Sequence, residues 1–329
     1  MPVLGEQALD NELMRIPGLQ LFPAEPLARH TRFALGGPAR LLADSTTLAS
    51  LNSALTLLRQ SGHPFLLIGG GTNLIVADSG FDGIVLRYRG TRLRRQGGEL
   101  IIGSGADLET LVDASVAAGL AGMECLKRIP GWVGAAIYGN AGAYGQQVSD
   151  RLVSVTFHDG LAVRQLPRDE CGFRYRSSIF KEHRDWVILE ATFALQPGDA
   201  SALAARAEEI RAVRDEKFPP SLRCAGSIFK NFILAALPET AQRRVPPAMV
   251  KGGKVPAAWF LEQVQAKGLT RGGIHVAGYH ANLIYNDGHG LATQLIDLID
   301  ELKQRVNAEF GISLEEEVQY VGFTGRASY

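Results

Sequence analysis

The sequence lacks most of what would mark a secreted, metal-binding or nucleic-acid-binding protein. Only three cysteines occur, Cys125, Cys171 and Cys224, far apart and odd in number. No C-x-x-C pair exists, which argues against both a disulfide framework and a zinc site. Histidines are few and scattered; His275 and His280 are near each other, but no third ligand accompanies them, so no catalytic metal is expected. Neither sign of charge is in excess, with 34 basic and 34 acidic side chains, and this excludes a strong electrostatic hold on nucleic acid or an anionic membrane. No apolar run approaches the ~18–20 residues of a membrane helix. The opening MPVLGEQALDNELMRIPGLQ carries acidic residues where a signal peptide needs positive charge. The expectation is a soluble cytoplasmic protein, without internal repeats or low-complexity segments.

What is present suits a globular chain of two or three domains. Its 329 residues are 46% hydrophobic, enough for a sizeable core. Residues 1–30 are mixed and proline-containing and read as an N-terminal extension. Leu48, Leu51, Leu55 and Leu58 predict a helix over residues 47–61, capped by Ser45, Thr46 or Thr47 and stopped by Gly62. PFLLIGGGTNLIVADSG reads as strand, glycine turn and strand, and GIVLRY and LIIGSGA as further strands. Asp107 opens a helix through residue 118. VSVTFHDG and WVILEATFAL are strands, and residues 203–214 a helix with Leu203, Ala207, Ile210 and Val213 on one side. Lys217-Phe218-Pro219-Pro220 marks a domain junction. Beyond it lie a helix around AAWFLEQV, the strand HANLIYN, a long amphipathic helix with Leu295, Ile299, Leu302, Val306 and Phe310, and a last strand LEEEVQYVGF. Short strands interleaved with helices make the class α+β.

Two glycine-rich segments stand out. Gly69-Gly70-Gly71-Thr72-Asn73 follows an apolar strand. It suits either a tight hairpin turn or a nest of backbone N–H groups around an anion such as a pyrophosphate. It is neither a P-loop nor a G-x-G-x-x-G turn. IPGWVGAAIYGNAGAYG, residues 129–145, is a second glycine wall, and two such walls favour a broad, flat ligand. FRYRSSIFK gathers Arg174, Arg176 and Lys181; it reads as a solvated strand face or as an anion clamp. Ser227 follows a glycine without a hydrolase frame and reads as a turn or cap serine. On a strand, Leu314, Glu316, Val318 and Tyr320 share one face and Glu315 and Glu317 the other, so one glutamate must lie on the apolar side.

Taken in order, TRFALGGPA, PFLLIGGGTNLIV, IPGWVGAAIYGNAGAYG, FRYRSSIFK, AGSIFKN, HANLIYN and LEEEV resemble the UDP-N-acetylenolpyruvoylglucosamine reductase (MurB) family from about residue 30 to residue 323. Each motif is weak alone; the ordered set is specific. The resemblance implies an α+β fold: an FAD-binding unit of the PCMH or vanillyl-alcohol-oxidase type over residues 31–197, in two subdomains of about 31–90 and 91–197. A connecting helix over 198–216 and a C-terminal substrate-binding domain over 217–329 follow, with the last strand returning to the active site.

The resemblance also implies non-covalent FAD, with NADPH as co-substrate. Gly69, Gly70, Gly71, Thr72, Asn73 and Leu74 would hold the pyrophosphate. Gly131, Gly134, Ala135, Asn140, Ala141 and Gly142 would line the rest of the flavin. Hydride would pass from NADPH to flavin, then to the terminal carbon of the enolpyruvyl group of UDP-N-acetylglucosamine enolpyruvate. Arg176 would bind its carboxylate, Glu317 would polarise the enolic form, and Ser227 would give a proton to the adjacent carbon, with Lys230 as a neighbour able to assist. Tyr175, Lys217, Lys230 and Asn231 match substrate-binding positions. The product, UDP-N-acetylmuramate, is a peptidoglycan precursor, which ties the enzyme to cell-wall growth, cell shape and division; a monomer is expected. Three departures from the family pattern matter. Thr72 stands where serine is common, and Phe232 where proline is common. QPGDASALAARAEEIRAVRDE holds no tyrosine-bearing loop, which is the shorter, type II pattern. Two other readings are a flavin oxidase acting on an alcohol, with a covalently tethered cofactor, and a non-catalytic nucleotide-sugar binder.

Overall fold

The structure, a computed structural model, describes residues 5–326. It divides into two compact units, and the chain passes between them several times. The first holds the chain up to Glu25, Ala39–Gly71 and Asp82–Glu216; the second holds Pro26–Pro38, Thr72–Phe81 and the chain from Lys217 onward. This differs from the head-to-tail order expected from the sequence. The segment before residue 30 is no loose extension: Leu9 and Leu13 of the helix Glu6–Met14 are fully buried, and Leu19–Pro23 pairs with Ala39–Ser45. The helix Ala200–Lys217 belongs to the first unit.

The first unit contains a four-stranded sheet, in the order Leu19–Pro23, Ala39–Ser45, Phe81–Tyr88 and Phe65–Leu67. It also contains a five-stranded antiparallel sheet, in the order Val163–Pro167, Leu152–His158, Val187–Ala194, Glu99–Gly103 and Leu93–Gln96. Each has its own core, and the strand Val187–Ala194 serves both. Val187 and Leu189 join the cluster with Leu51, Leu55 and Leu58, while Ile188 and Phe193 join the one with Leu111, Val133 and Phe180. The helix Leu48–Ser61 starts where the sequence puts it, because the Thr47 hydroxyl accepts the Ser50 N–H. It ends at Gly62, whose φ of +71° is the left-handed cap glycine allows. In the helix Ala200–Lys217 the apolar stripe runs through Leu203, Ala207 and Ile210. Val213 is half exposed, because spacings of four, three and four residues carry the stripe on to Arg214 instead.

In the second unit the helix Ala292–Phe310 buries Leu295, Ile299, Leu302, Val306 and Phe310, as its period requires. It packs in one core with Phe33, Leu35 and Ile75 from the two early segments. The Asp78 carboxylate accepts the Ala292 and Thr293 N–H groups at 2.7 and 3.0 Å and so caps this helix. The strands flanking the glycine loop do not form a hairpin. Phe65–Leu67 runs parallel to Phe81–Tyr88 in the first unit, and Leu74–Val76 runs parallel to Gln319–Val321 in the second. Among the described residues, no helix is long and apolar enough to cross a membrane.

Candidate active site

Each unit carries its own set of the residues singled out above. In the first, the two glycine segments meet. A side-chain carbon on Gly69 would stand 3.2 Å from the Ala135 methyl, and one on Gly70 would stand 3.0 Å from the Trp132 indole. Gly71 has a φ of +69°. The loop is therefore lined by backbone alone, a surface that suits a diphosphate. Trp132 is itself held from beneath. The Arg87 and Arg89 guanidinium groups each lie 5.7 Å from its ring centroid, and both bond to the buried Asp44 carboxylate. Burial pushes the Asp44 pKa up, yet the two arginines overcome it and hold the carboxyl below its ordinary value.

The second glycine wall is partly a helix, Val133–Tyr138. Some of its special residues serve the protein itself. Gly134 lies against Ser104, where an added carbon would come within 2.8 Å of the serine Cβ. Gly131 has a φ of +114°. Asn140 is fully buried, and its amide donates to Gln147 and to the Arg174 carbonyl, each at 3.1 Å. Ala141 donates its N–H to Ala136 and accepts from Val148. Gly142 faces the Gln146–Gln147 strand.

Arg176 sits on a turn, not on a strand face. Arg174 and Ser177 exchange backbone hydrogen bonds across Tyr175 and Arg176. Arg176 adopts a φ of +55°, an uncommon conformation for a residue with a long side chain. Such a conformation needs support and points to a site. The support is visible: the Lys181 ammonium donates to the Arg176 carbonyl at 2.8 Å, Nη2 of Arg176 donates to the Gly142 carbonyl at 3.3 Å, and the guanidinium lies 5.2 Å from the Tyr175 ring. Sequence reasoning missed Arg214. Burial pushes its pKa below the ordinary value; Tyr144 opposes the shift and nearby Arg176 adds to it. The signal was a cation continuing the Leu203–Ala207–Ile210 stripe.

In the second unit, Ser227 pairs with Leu283, and the segment after it is tied on both edges. Glu317 donates its N–H to the Ile228 carbonyl, and Lys230 donates to the Glu315 carbonyl, each at 2.8 Å. Asn73 closes the frame: its amide donates to the Glu317 carbonyl at 2.7 Å, and its own carbonyl accepts from Gln319 at 3.0 Å. The structure thus brings Ser227, Glu317 and Asn73 into one hydrogen-bonded frame. Leu74 begins the adjoining strand, with Thr72 just before it. The acidic run precedes the strand Gln319–Val321 rather than lying within it. Glu316 is the inward glutamate, paired with Lys303 at 2.9 Å and bonded by the Tyr320 hydroxyl.

Lys230 forms an ion pair with Glu315, so the help expected of it for Ser227 finds no direct support. Asn231 accepts the Ala257 N–H at 3.2 Å. Lys217 lies with its ammonium 5.2 Å from the Phe218 ring, and its carbonyl accepts the Tyr279 hydroxyl. His280, next to Tyr279, is pushed down to about 4 by burial and by Lys217, so it is neutral at pH 7. Among the described residues, no cluster could hold a metal ion.

Both parts of the chain resemble known proteins. Residues 218–321 match the model for the UDP-N-acetylenolpyruvoylglucosamine reductase C-terminal domain, and residues 39–161 match an FAD binding domain. The chain is 51% identical to the UDP-N-acetylenolpyruvoylglucosamine reductase of Solibacter usitatus over 94% of its own length and 99% of that protein. It is 37% identical to the enzyme of the same name from Rubrobacter xylanophilus, over 92% and 97% of the two chains. The crystal structure of the Thermus caldophilus reductase (MurB) superposes with a TM-score of 0.71 at 28% identity, covering 92% of this chain and 98% of that one. An α+β chain matched over more than nine-tenths of its length by these relatives, with an FAD-binding segment ahead of a reductase C-terminal domain, belongs to the UDP-N-acetylenolpyruvoylglucosamine reductase family of flavin-dependent oxidoreductases.

Proposed function

We propose that the chain reduces UDP-N-acetylglucosamine enolpyruvate to UDP-N-acetylmuramate with NADPH as the reductant, in the cytoplasmic synthesis of peptidoglycan precursors. The observation that carries this reading is the hydrogen-bonded frame that joins the Ser227 segment to the Glu317 segment. A proton donor and a carboxyl on adjoining backbone are what protonation beside a carboxylate requires.

The backbone-lined glycine loop and the Val133–Tyr138 region are the parts that fit FAD, which when bound supplies the hydride. Cys125 is a poor tether: it is buried, and burial raises its thiol pKa. This favours a non-covalent cofactor. Arg176, presented on its strained turn, binds the enolpyruvyl carboxylate bidentately. Charge builds on that group as hydride reaches the terminal carbon; Arg176 stabilises it, and Glu317 does so as its protonated acid, by donating a hydrogen bond. Ser227 then delivers its hydroxyl proton to the adjacent carbon. Lys217 and Asn231 contact the UDP portion. The chain works as a monomer.

The test is a stopped-flow separation of the two half-reactions. In Ser227→Ala, reduction of the flavin by NADPH should proceed as in the wild type. Reoxidation by the enolpyruvyl substrate should fall by about 10²–10⁴-fold. Equal loss of both half-reactions would refute the role given to the serine.

A further inference from the structure

Asn282 is a polar residue inside an apolar layer. It is 2% exposed and lies between Ala281 and Leu283, both fully buried. Its side chain is spent on one peptide neighbour: Oδ1 accepts the Phe229 N–H at 2.9 Å, and Nδ2 donates to the Phe229 carbonyl at 2.8 Å. Its own carbonyl accepts the Ile228 N–H at 3.1 Å, and the next residue, Leu283, bridges to Ser227. A carboxamide is the side chain that offers a donor and an acceptor side by side, as a neighbouring strand would.

With Asn282 on one edge and Glu315 and Glu317 on the other, every backbone polar group from the Ile228 N–H to the Lys230 N–H has a partner. The segment carrying Ser227 therefore has one register and little freedom. We propose that Asn282 is a positioning residue for the reaction: it clamps Phe229 so that the Ser227 hydroxyl stands at the carbon it protonates.

The proposal rests on the reading of Ser227 as proton donor, and its test separates the two. In Asn282→Asp, assayed at a pH where the new carboxyl is ionised, the carboxylate still accepts the Phe229 N–H but repels the Phe229 carbonyl; the neutral acid, which reproduces the clamp, serves as the low-pH control. With the full-length, flavin-loaded protein, NADPH should reduce the flavin at a rate within about twofold of the wild type, whereas reoxidation by the enolpyruvyl substrate should slow about 10–100-fold, the scale of a displacement near 1 Å. The solvent deuterium isotope effect on reoxidation should grow, because a misplaced donor makes proton delivery limiting. Ser227→Ala combined with Asn282→Asp should be no slower than Ser227→Ala alone, since the asparagine acts through the serine.

Wild-type reoxidation in Asn282→Asp would overturn the proposal, as would losses that multiply in the double variant. Asn282→Ser, which keeps a smaller polar group, is measured alongside. Loss of flavin binding in both single variants would assign Asn282 a purely structural role and overturn the proposal. Fast reoxidation in Ser227→Ala would remove the proton-donor reading itself, and the proposal with it.

Discussion

The two units place their candidate site residues by opposite means. In the first unit, residues are placed by what is missing or strained. Gly69 and Gly70 have no side chain because Ala135 and Trp132 occupy that space, and Arg176 is held in a left-handed turn. In the second, the segments carrying Ser227 and Glu317 are tied to each other and to Asn282 by hydrogen bonds to the backbone of Ile228, Phe229 and Lys230. The first device yields a bare surface for a large rigid group and accepts local strain. The second fixes the register of a segment through its backbone polar groups. The irregular backbone of the glycine loop is backed by Trp132, and Trp132 in turn by the arginines of the Asp44 cluster.

The largest effect is expected at that support. Asp44→Ala leaves Arg87 buried without its carboxylate and should destabilise the protein by about 3–5 kcal/mol, read by denaturant unfolding of the flavin-loaded enzyme. The same carboxylate has a pH signature. Its folded pKa lies below the ordinary value of 3.8, so its stabilisation is fully present above that value. The stabilisation is lost as the pH falls through the depressed folded value. The wild type should therefore lose stability more steeply than Asp44→Asn as the pH drops below 3.8.

A smaller effect tests the strained turn. Arg176→Lys keeps the charge but not the fork, and should lower kcat/KM for the enolpyruvyl substrate by about 10–100-fold, through the loss of a charged hydrogen bond worth about 1.5–3 kcal/mol. If KM for NADPH moved equally, the carboxylate assignment would be wrong. The smallest effect is expected at the glycine loop. Gly70→Ala adds a carbon 3.0 Å from the indole, which the ring can partly yield to. FAD dissociation, followed by fluorescence, should rise about tenfold, the equivalent of 1.4 kcal/mol. The Ser227 half-reaction of the flavin-loaded fraction should be unchanged.

The parts legible in the sequence are those whose cause is local. Thr47 and Gly62 bracket a helix because caps act within a turn, and the stripe from Leu295 to Phe310 needs one period and one face. The glycine loop was legible as irregular backbone. That its flanking strands belong to different units was not, because the partner of Leu74–Val76 lies at Gln319–Val321. Strand alternation called for an inward glutamate; Glu316 does turn inward, paired with Lys303, but the acidic run precedes the strand Gln319–Val321, so that period is not what turns it. Asn282 and Arg214 stayed hidden for a shared reason. Single polar residues look alike in sequence whether they face water or a buried peptide, and only the completed fold supplies their partners.

The pairing of Leu74–Val76 with Gln319–Val321 also orders events during synthesis. The register joins Leu74 to Gln319, so the later strand emerges 245 residues after the earlier one (319 − 74 = 245). At ribosomal speed that is a wait of about 12–50 s, far longer than any hairpin needs to close. Throughout it the nascent chain carries an apolar Leu-Ile-Val strand with an open edge, next to the glycine loop. The sheet-rich body that ends at Glu216 can be completed on the ribosome, whereas the Ser227 frame must await nearly the whole chain. A stalled or clipped product lacking its last dozen residues would expose that edge for good, and becomes a substrate for proteases and chaperones rather than a slow enzyme.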